Sequence, residues 1–387
     1  MPIPREVFEQ TLLGFFDPIR PFLDDPSVSE IMINGPSEIY VERGGQLYKT
    51  DAKFPSHEAL MSALRNLSQF VGRQVNEFVP ILEARLPDGS RVEAVIPPAS
   101  PDGPSVAIRR FSKDTLTIEK LLQYKAFTPD AAQMMQAVVA AKQNVIVAGG
   151  TGSGKTSLLN CLSSFALPEE RVVVIEDARE LQLQLPHVVQ MEAQPPDPRG
   201  RGKVTIRDLF KATLRMRPDR IVVGEIRSGE ALELIQAMTS GHGGCLSTVH
   251  ATYPIDTLNR LETMAMMSDV EIPLAAMRAQ IASAINFIVQ TTRLLDGARC
   301  VTHITEVLGY DQNTGYQLGD IFIRKYIGRD NNGKVISEFN PTGRLPRCLD
   351  MIRAMGLELP QVMYDAARAA GYEIPDANDP GAGLATH

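Results

Sequence analysis

One glycine-rich segment constrains the fold of this 387-residue chain more than any other feature. The segment reads Gly149-Gly150-Thr151-Gly152-Ser153-Gly154-Lys155-Thr156, between an apolar run at 144–148 and a helical pattern at 157–165. A GxxxxGK[ST] pattern between a strand and a helix is typical of a phosphate-binding loop. Its glycines let backbone N–H groups converge on an anion, and the helix that follows presents its positive end. A turn without a ligand is the alternative, but this context favours binding of a nucleoside triphosphate.

Each part of the loop has an expected role. Lys155 is expected to reach the outer phosphates of ATP, and Thr156 to supply an oxygen to Mg²⁺. Glycines and hydroxyl residues around them complete the predicted nucleotide contacts. These further binding residues are Gly150, Thr151, Gly152, Ser153, Gly154 and Ser157.

The chain divides into two regions of different pattern. Residues 1–111 show short period-2 apolar runs separated by turn dipeptides such as Asn34-Gly35, which predicts a small α+β domain with a mostly antiparallel sheet. The polar stretch 112–117 predicts an interdomain linker. From 118 to 373, apolar strands alternate with helices, which predicts an α/β domain with a largely parallel sheet and a C-terminal extension. Residues 374–387, rich in Pro and Gly, are expected to be a disordered tail.

Composition disfavours several classes of function. Lys and Arg number 39 against 46 Asp and Glu, so the net charge of −7 disfavours tight binding of nucleic acid. No apolar run approaches the roughly 18 residues that span a bilayer, and the N-terminus does not resemble a signal peptide. We therefore expect a cytoplasmic chain without a transmembrane segment. Zinc and disulfide frameworks are disfavoured because the four cysteines are widely separated, at Cys161, Cys245, Cys300 and Cys348.

Carboxylates follow two of the predicted strands. Glu176 and Glu180 come after the apolar run 171–175, and Glu225 comes after the run 220–223. Ligands of open α/β sheets bind at the carboxyl ends of the strands, so these groups are expected to converge on the glycine loop. We expect Glu176 or Glu180 to hold Mg²⁺ through water, and Glu225 to orient the attacking water.

The strand before Glu225 resembles a Walker B strand in which Gly224 replaces the usual aspartate. Metal binding must then be shared differently, which is why the role of metal partner passes to Glu176 or Glu180.

Two histidines lie in a glycine-rich context. His242 follows a turn that leads into a short apolar run, and His250 ends that run. Their spacing, without a third ligand nearby, is poor for zinc. A pair that senses phosphate or orients water fits better, because a histidine titrates near neutral pH.

Arginines supply the remaining candidates. Arg109 and Arg110 close the first domain, and on a strand they would face opposite sides, so one of them can enter a site. There an arginine can stabilise transition-state charge, although an ordinary exposed arginine is the alternative. Further candidates of this kind flank Glu225, namely Arg215, Arg217 and Arg227.

Four segments in fixed order carry a family resemblance: GGTGSGKT, IEDARELQL, LRMRPDRIVVGEIR and SGHGGCLSTVHAT. They resemble the Walker A, Asp box, Walker B with glycine for aspartate, and His box of type II and type IV secretion ATPases. The resemblance implies a RecA-like P-loop NTPase domain with a smaller N-terminal α+β domain. EIMINGPSEIYVER, LPDGSRVEAVIPP and VAIRRF further look like the N-terminal domain of CpaF-like motors of tight-adherence (Tad) pili.

The resemblance also implies function and partners. The chain would form a homo-hexamer that hydrolyses ATP between its N- and C-terminal domains and drives an inner-membrane platform protein during pilus assembly or secretion. It would lie at the inner face of the inner membrane through partners. A conjugation or type IV secretion ATPase, a hexameric nucleic-acid translocase and a nucleotide-gated scaffold are the alternatives. The residues that stand within the boxes, and so carry over, are Lys155, Thr156, Glu176, Glu180, Glu225, His242 and His250.

Overall fold

The computed structural model describes residues 5–111, 116–197 and 199–372. The chain divides into a first compact unit, Met1–Asp114 with Pro195–Lys203, and a second, Thr115–Gln194 with Val204–His387. The segment Pro195–Lys203 thus belongs to the first unit, although the sequence places it within the second predicted domain. Most of the predicted linker and all of the predicted tail at 374–387 lie outside the described residues.

The first unit is an antiparallel sheet with helices. Its elements within residues 5–111 are α1 (Arg5–Gly14), α2 (Arg20–Asp24), β1 (Val28–Asn34), β2 (Glu38–Arg43), β3 (Gln46–Lys49), α3 (His57–Phe70), β4 (Ile81–Arg85), β5 (Arg91–Val95) and β6 (Ser105–Arg109). The sheet order is β3-β2-β1-β6-β5-β4, with antiparallel neighbours throughout. The Ser56 hydroxyl caps α3 by accepting the Ala59 N–H at 3.1 Å. The α3 apolar stripe, including Leu60, Leu64 and Leu67, is buried in the core of this unit.

The second unit is built on a mixed sheet. Its described elements are α4 (Ile118–Gln123), α5 (Pro129–Ala140), β7 (Val145–Gly149), α6 (Lys155–Ser163), β8 (Val172–Glu176), β9 (Val188–Glu192), α7 (Ile206–Thr213), β10 (Arg220–Val223), α8 (Glu230–Thr239), β11 (Leu246–His250), α9 (Pro254–Ala265), α10 (Leu274–Ala284), β12 (Phe287–Arg293), β13 (Arg299–Asp311), β14 (Gly315–Arg329), β15 (Val335–Pro341), α11 (Leu349–Ala354) and α12 (Gln361–Ala369). The order is β15-β14-β13-β12-β7-β11-β10-β8-β9. The strands from β12 to β9 in this order are parallel, whereas β13, β14 and β15 extend the sheet with antiparallel pairs.

Helices cover both faces of the parallel strands. On β7, Val145 and Val147 enter one apolar core, while Ile146 and Ala148 enter the other. A parallel sheet buried on both faces reads as continuous apolar runs, which is the pattern on which the α/β prediction rests. The predicted α/β class with a smaller α+β unit is confirmed. In the part of the chain that the structure describes, no helix has the length and apolar character needed to cross a bilayer.

Candidate functional site

The glycine loop connects the end of β7 to the start of α6. Gly152 and Gly154 adopt left-handed backbone conformations, with φ of +68° and +94°, which glycine accepts without strain. Gly149 is required for a different reason. A Cβ there would lie 2.7 Å from the Thr291 carbonyl oxygen and closer still to the hydroxyl oxygens of Thr291 and Ser153. The loop is therefore shaped by both backbone conformation and close packing.

Polar groups inside the loop converge on one carbonyl. Gly150 O accepts hydrogen bonds from Lys155 Nζ at 3.0 Å and from Ser153 Oγ at 2.9 Å. The Lys155 side chain lies back along the loop, and the residue is only 8% exposed. Because the helix cap is Gly154, no side chain competes for the first N–H groups of α6. Such a helix start is a binding site for anions, and Thr156 and Ser157 follow in its first turn.

The parallel register brings other strand ends to this edge of the sheet. His250 at the end of β11 pairs with Gly149 at the end of β7. On the other side of β11, Val223 at the end of β10 pairs with Ile175 near the end of β8. Glu176 follows Ile175 directly, and Glu225 follows Val223 after one intervening residue, Gly224. The structure therefore brings Glu176, Glu225 and His250 to the edge that carries the glycine loop.

Glu176 is a buried carboxyl, 3% exposed. Its Oε1 accepts the backbone N–H groups of Glu180 at 2.9 Å and Leu181 at 3.0 Å. Burial raises the pKa of Glu176 to about 7, and the nearby charges of Glu180 and Glu192 act in the same direction, while the two N–H groups oppose it. The Glu180 backbone thus holds Glu176 in place.

The Glu176 side chain explains the glycine at the Walker B position. A Cβ at Gly224 would lie 2.9 Å from Glu176 Cγ and 3.3 Å from its Oε1. The space beside β10 that an aspartate would fill is already taken by the glutamate of β8. In the folded chain, the Glu176 carboxyl group therefore lies where the carboxyl group of a Walker B aspartate is expected.

Glu225 lies in a network of charged groups. Arg227 Nε donates to Glu225 Oε2 at 2.7 Å, and Arg227 Nη1 lies 3.4 Å from Asp177 Oδ2. His250 Nε2 lies 3.7 Å from Glu225 Oε1. Partial burial, together with the positive charge of Lys155, lowers the pKa of His250 although Glu225 opposes the shift. A neutral imidazole therefore faces an oriented carboxylate.

His242 does not join this group. It precedes β11, whereas His250 ends it, so the length of the strand, about 13 Å at 3.3 Å per residue, separates the two. The glycine turn beside His242 has a packing explanation. A Cβ at Gly244 would lie 2.7 Å from Nη1 of Arg220, whose guanidinium forms a buried ion pair with Glu170. Within one chain, the structure does not support the predicted pairing of the two histidines beside a phosphate.

The two candidate arginines of the first unit, Arg109 and Arg110, differ in their surroundings. The guanidinium of Arg110 donates to the backbone carbonyls of Asp25 and Val28, and its backbone N–H donates to Ser29 O at 3.0 Å. Arg109 ends β6 with an exposed side chain. Arg110 is therefore used inside its own unit, and Arg109 is the better candidate to act on a nucleotide.

Sequence reasoning missed two residues at the loop. The Thr291 Oγ1 lies 2.8 Å from Ser153 Oγ, and Arg299 Nε donates to Gly152 O at 2.8 Å. Both belong to the hairpin of β12 and β13, about 140 residues further along the chain. No motif marks them, and only the pairing of β12 with β7 reveals them.

Comparison with known proteins gives a consistent result. Residues 15–319 match the family described as type II/IV secretion system protein. The chain is 32% identical over 292 residues to a putative conjugal transfer protein of Mycobacterium tuberculosis, covering 74% of this chain and 82% of that protein. It is 31% identical over 326 residues to the type IV secretion system protein VirB11 of Brucella suis, covering 77% and 90%.

Among solved structures, the pilus retraction motor PilT with bound ADP aligns with a TM-score of 0.52 at 18% identity, covering 91% of this chain and 88% of that one. At this identity the likeness supports the fold. The resemblance to secretion ATPases is confirmed at the level of the family, and the Tad subgroup stays a prediction. The chain belongs to the type II/IV secretion system protein family.

Proposed function

We propose that this chain is an ATPase that works as a homo-hexameric motor for pilus assembly or protein secretion across the bacterial cell envelope. The observation that carries the proposal is the glycine loop at the carboxyl edge of a parallel sheet, with Glu176, Glu225 and His250 at neighbouring strand ends. Membership of the secretion system family supports the same function. ATP hydrolysis follows from membership of the family, and we propose the roles of the individual residues.

The loop and α6 provide the phosphate site. Backbone N–H groups from Gly150 to Thr156 and the Lys155 ammonium group would neutralise the negative charge of the phosphates. Glu225 would accept a hydrogen bond from the attacking water, because Arg227 orients its carboxylate and the neutral His250 lies beside it. That water would attack a phosphate bound by the loop.

The donor set also fits Mg²⁺. Thr156 would hold it directly and Glu176 through water, and the ion would neutralise charge on the phosphates. In the described ranges, no three His, Cys, Asp or Glu side chains gather into an ion site. At nucleotide sites Mg²⁺ takes its other ligands from phosphate oxygens and water. Glu176 is kept beside the loop by two backbone N–H groups, which would hold its water ligand in position.

The proposed assembly places an arginine at the nucleotide of a neighbouring subunit. Arg109 is our choice for this role, because its side chain is exposed at the end of β6, whereas the Arg110 guanidinium donates to carbonyls of Asp25 and Val28. An inner-membrane platform protein is the proposed partner, with the motor attached to the membrane through it. Nucleic acid is not a proposed partner, since the net charge is −7.

The variant Glu225→Gln tests the catalytic assignment. Phosphate release from Mg-ATP should fall by about 10²-fold or more, the lower range for loss of general base catalysis, while ATP binding persists. Glu338→Gln, an exposed glutamate on β15, is the matched control and should turn over normally. Normal turnover of Glu225→Gln would show that Glu225 is assigned wrongly. Absence of any affinity for Mg-ATP in the wild-type chain, in every assembly state, would contradict the motor itself.

A conjugation or type IV secretion ATPase is the second candidate, because relatives at 31–32% identity carry those names. Co-purification from membranes distinguishes the two, since a pilus motor should bring down a platform protein. DNA-stimulated turnover with a steep dependence on salt would instead favour a nucleic-acid translocase.

A further inference from the structure

The hairpin of β12 and β13 contacts the glycine loop at a buried point. Thr291 on β12 is 3% exposed and lies opposite Gly149 in the parallel register with β7. Its Oγ1 is 3.1 Å from Ala148 O and 2.8 Å from Ser153 Oγ. The Ser153 Oγ is in turn 2.9 Å from Gly150 O. A chain of hydroxyl groups therefore runs from β7 through Thr291 into the loop.

Two hydroxyl hydrogens serve these three contacts, and two of the possible arrangements place a hydrogen between the two hydroxyl groups. In the first, Thr291 donates to Ala148 O and Ser153 donates to Thr291. In the second, Thr291 donates to Ser153 and Ser153 donates to Gly150 O. The second arrangement gives Gly150 O a hydroxyl donor, in addition to the backbone N–H of Ser153 at 3.4 Å, when Lys155 leaves it for a phosphate. The pair can therefore keep the loop carbonyl hydrogen-bonded in both positions of the lysine, without movement of heavy atoms.

The same hairpin holds the loop at a second point. Arg299 Nε donates to Gly152 O at 2.8 Å, and its cross-strand partner Arg293 lies beside Gly152. The Gly152 carbonyl and the Ser153 N–H belong to one trans peptide and point in opposite directions. A donor that fixes this carbonyl on the outside of the loop therefore directs the N–H of Ser153 towards the inside, where it donates to Gly150 O at 3.4 Å.

We propose that Thr291 and Arg299 are positioning residues that preorganise the glycine loop for phosphate. The inference rests on the proposed function, since it requires that this loop binds ATP. Gly149 supports it, because the hydroxyl pair fills the space where a side chain at that position would stand. A threonine that merely joined two strands would affect folding stability without changing the affinity of the loop for nucleotide.

Thr291→Val removes the hydroxyl and keeps the shape of the side chain. We expect the KM for Mg-ATP and the Kd for a non-hydrolysable ATP analogue to rise about fivefold, the size of one hydrogen bond, with kcat changed less than twofold. Thr291→Ser should restore both constants. Thr305→Val is the matched control. It removes a buried threonine hydroxyl of the same sheet, bonded to Asp320, and should leave KM unchanged.

Arg299→Gln tests the second contact on an exposed side chain, where loss of folding is not expected. We expect KM to rise about threefold, as for loss of one exposed hydrogen bond. Arg368→Gln on α12, which removes an arginine paired with Asp365, is the control. If the wild type binds ATP and both Thr291→Val and Arg299→Gln leave KM and Kd unchanged, the inference is wrong. If the wild type binds no ATP, the proposed function itself has failed, and the two failures are thus distinguished.

Discussion

Position 224 and the side chain of Glu176 compete for one space at the carboxyl edge of the sheet. Gly224→Asp, which would recreate an ordinary Walker B strand, should therefore reduce activity. The new side chain would displace Glu176, lower stability by about 1–3 kcal/mol as overpacking does, and slow phosphate release at least about tenfold. Thermal unfolding and phosphate release measure the two effects. Gly328→Asp is the control, because no atom lies within 4 Å of a Cβ there. Full turnover in Gly224→Asp would contradict the steric explanation.

A second residue-scale prediction concerns Glu306 on β13, which is 4% exposed. Burial raises its pKa, while the Arg347 N–H and the charges of Arg344 and Arg347 oppose the shift. The folded carboxyl then keeps a proton that the unfolded one releases, so stability falls as pH rises from the ordinary value of 4.5 through the raised value. At high pH, each unit by which the folded pKa exceeds the unfolded pKa lowers the free energy of unfolding by about 1.4 kcal/mol.

Glu306→Gln cannot titrate, yet it can still accept the Arg347 N–H. Relative to wild type, its free energy of unfolding should therefore increase as pH rises through that range. Urea unfolding of both chains from pH 4.5 to 8.5 measures the difference. Glu338→Gln, an exposed glutamate, should run parallel to wild type. A difference in the free energy of unfolding between Glu306→Gln and wild type that stays constant with pH would contradict this prediction.

The residues of the site differ in how far sequence could locate them. The glycine loop and the strand-end carboxylates are local features, so their place between β7 and α6 and after β8 and β10 follows from pattern alone. Thr291 and Arg299 act through the pairing of β12 with β7, which no local pattern encodes. His242 shows that closeness in sequence does not place two residues together. It precedes β11 and His250 ends it, so the length of that strand lies between them, and a role for His242 stays a prediction.

At the scale of elements, a buried ion pair anchors the start of β10. Arg220 Nε bonds Glu170 at 2.6 Å, and the remaining guanidinium donors reach the carbonyls of Val139 and Gly244. Removal of one partner leaves an uncompensated buried charge, so Glu170→Gln should lower the free energy of unfolding by about 3–5 kcal/mol. Urea unfolding measures it. Asp365→Asn, which breaks an exposed pair with Arg368, should cost less than about 1 kcal/mol. Equal losses in the two variants would contradict a special role for the buried pair.

Strand directions were harder to predict than strands. The apolar runs after residue 285 indicate β12, β13 and β14, but such a run does not show whether a strand is parallel or antiparallel to its neighbour. In the structure, β13 is antiparallel to both β12 and β14. The residues of β9 are only partly buried, so no continuous apolar run marks this strand in the sequence. β15 alternates exposed and half-buried residues and places only Phe339 in the core, so its apolar pattern in the sequence is weak as well. A strand that is buried on both faces shows a continuous apolar run in the sequence. The edge strands β9 and β15 are not buried in this way.

At the scale of the whole molecule, the first unit carries Arg109 and the second carries the glycine loop, and the proposed ring would let one chain complete the site of another. This predicts complementation between two inactive variants. Arg109→Ala keeps the loop but lacks the arginine, whereas Lys155→Ala keeps the arginine but lacks a working loop. Each alone should lose most of its turnover, since such an arginine contributes about 10³–10⁵ in rate where it acts.

Mixed rings show whether Arg109 acts on the nucleotide site of its own chain or on that of a neighbouring chain. In randomly mixed hexamers at equal amounts, a working site forms wherever the loop of an Arg109→Ala subunit meets the arginine of a Lys155→Ala neighbour. With independent sites, this restores about a quarter of wild-type turnover. Phosphate release, measured after the two variants are co-refolded or co-expressed, tests this value. Arg110→Ala mixed with Lys155→Ala should give no comparable recovery, because Arg110 is bound inside its own unit. Failure of the Arg109→Ala mixture to recover, in rings shown by light scattering to be hexameric, would place the action of Arg109 within its own chain or remove it from the site.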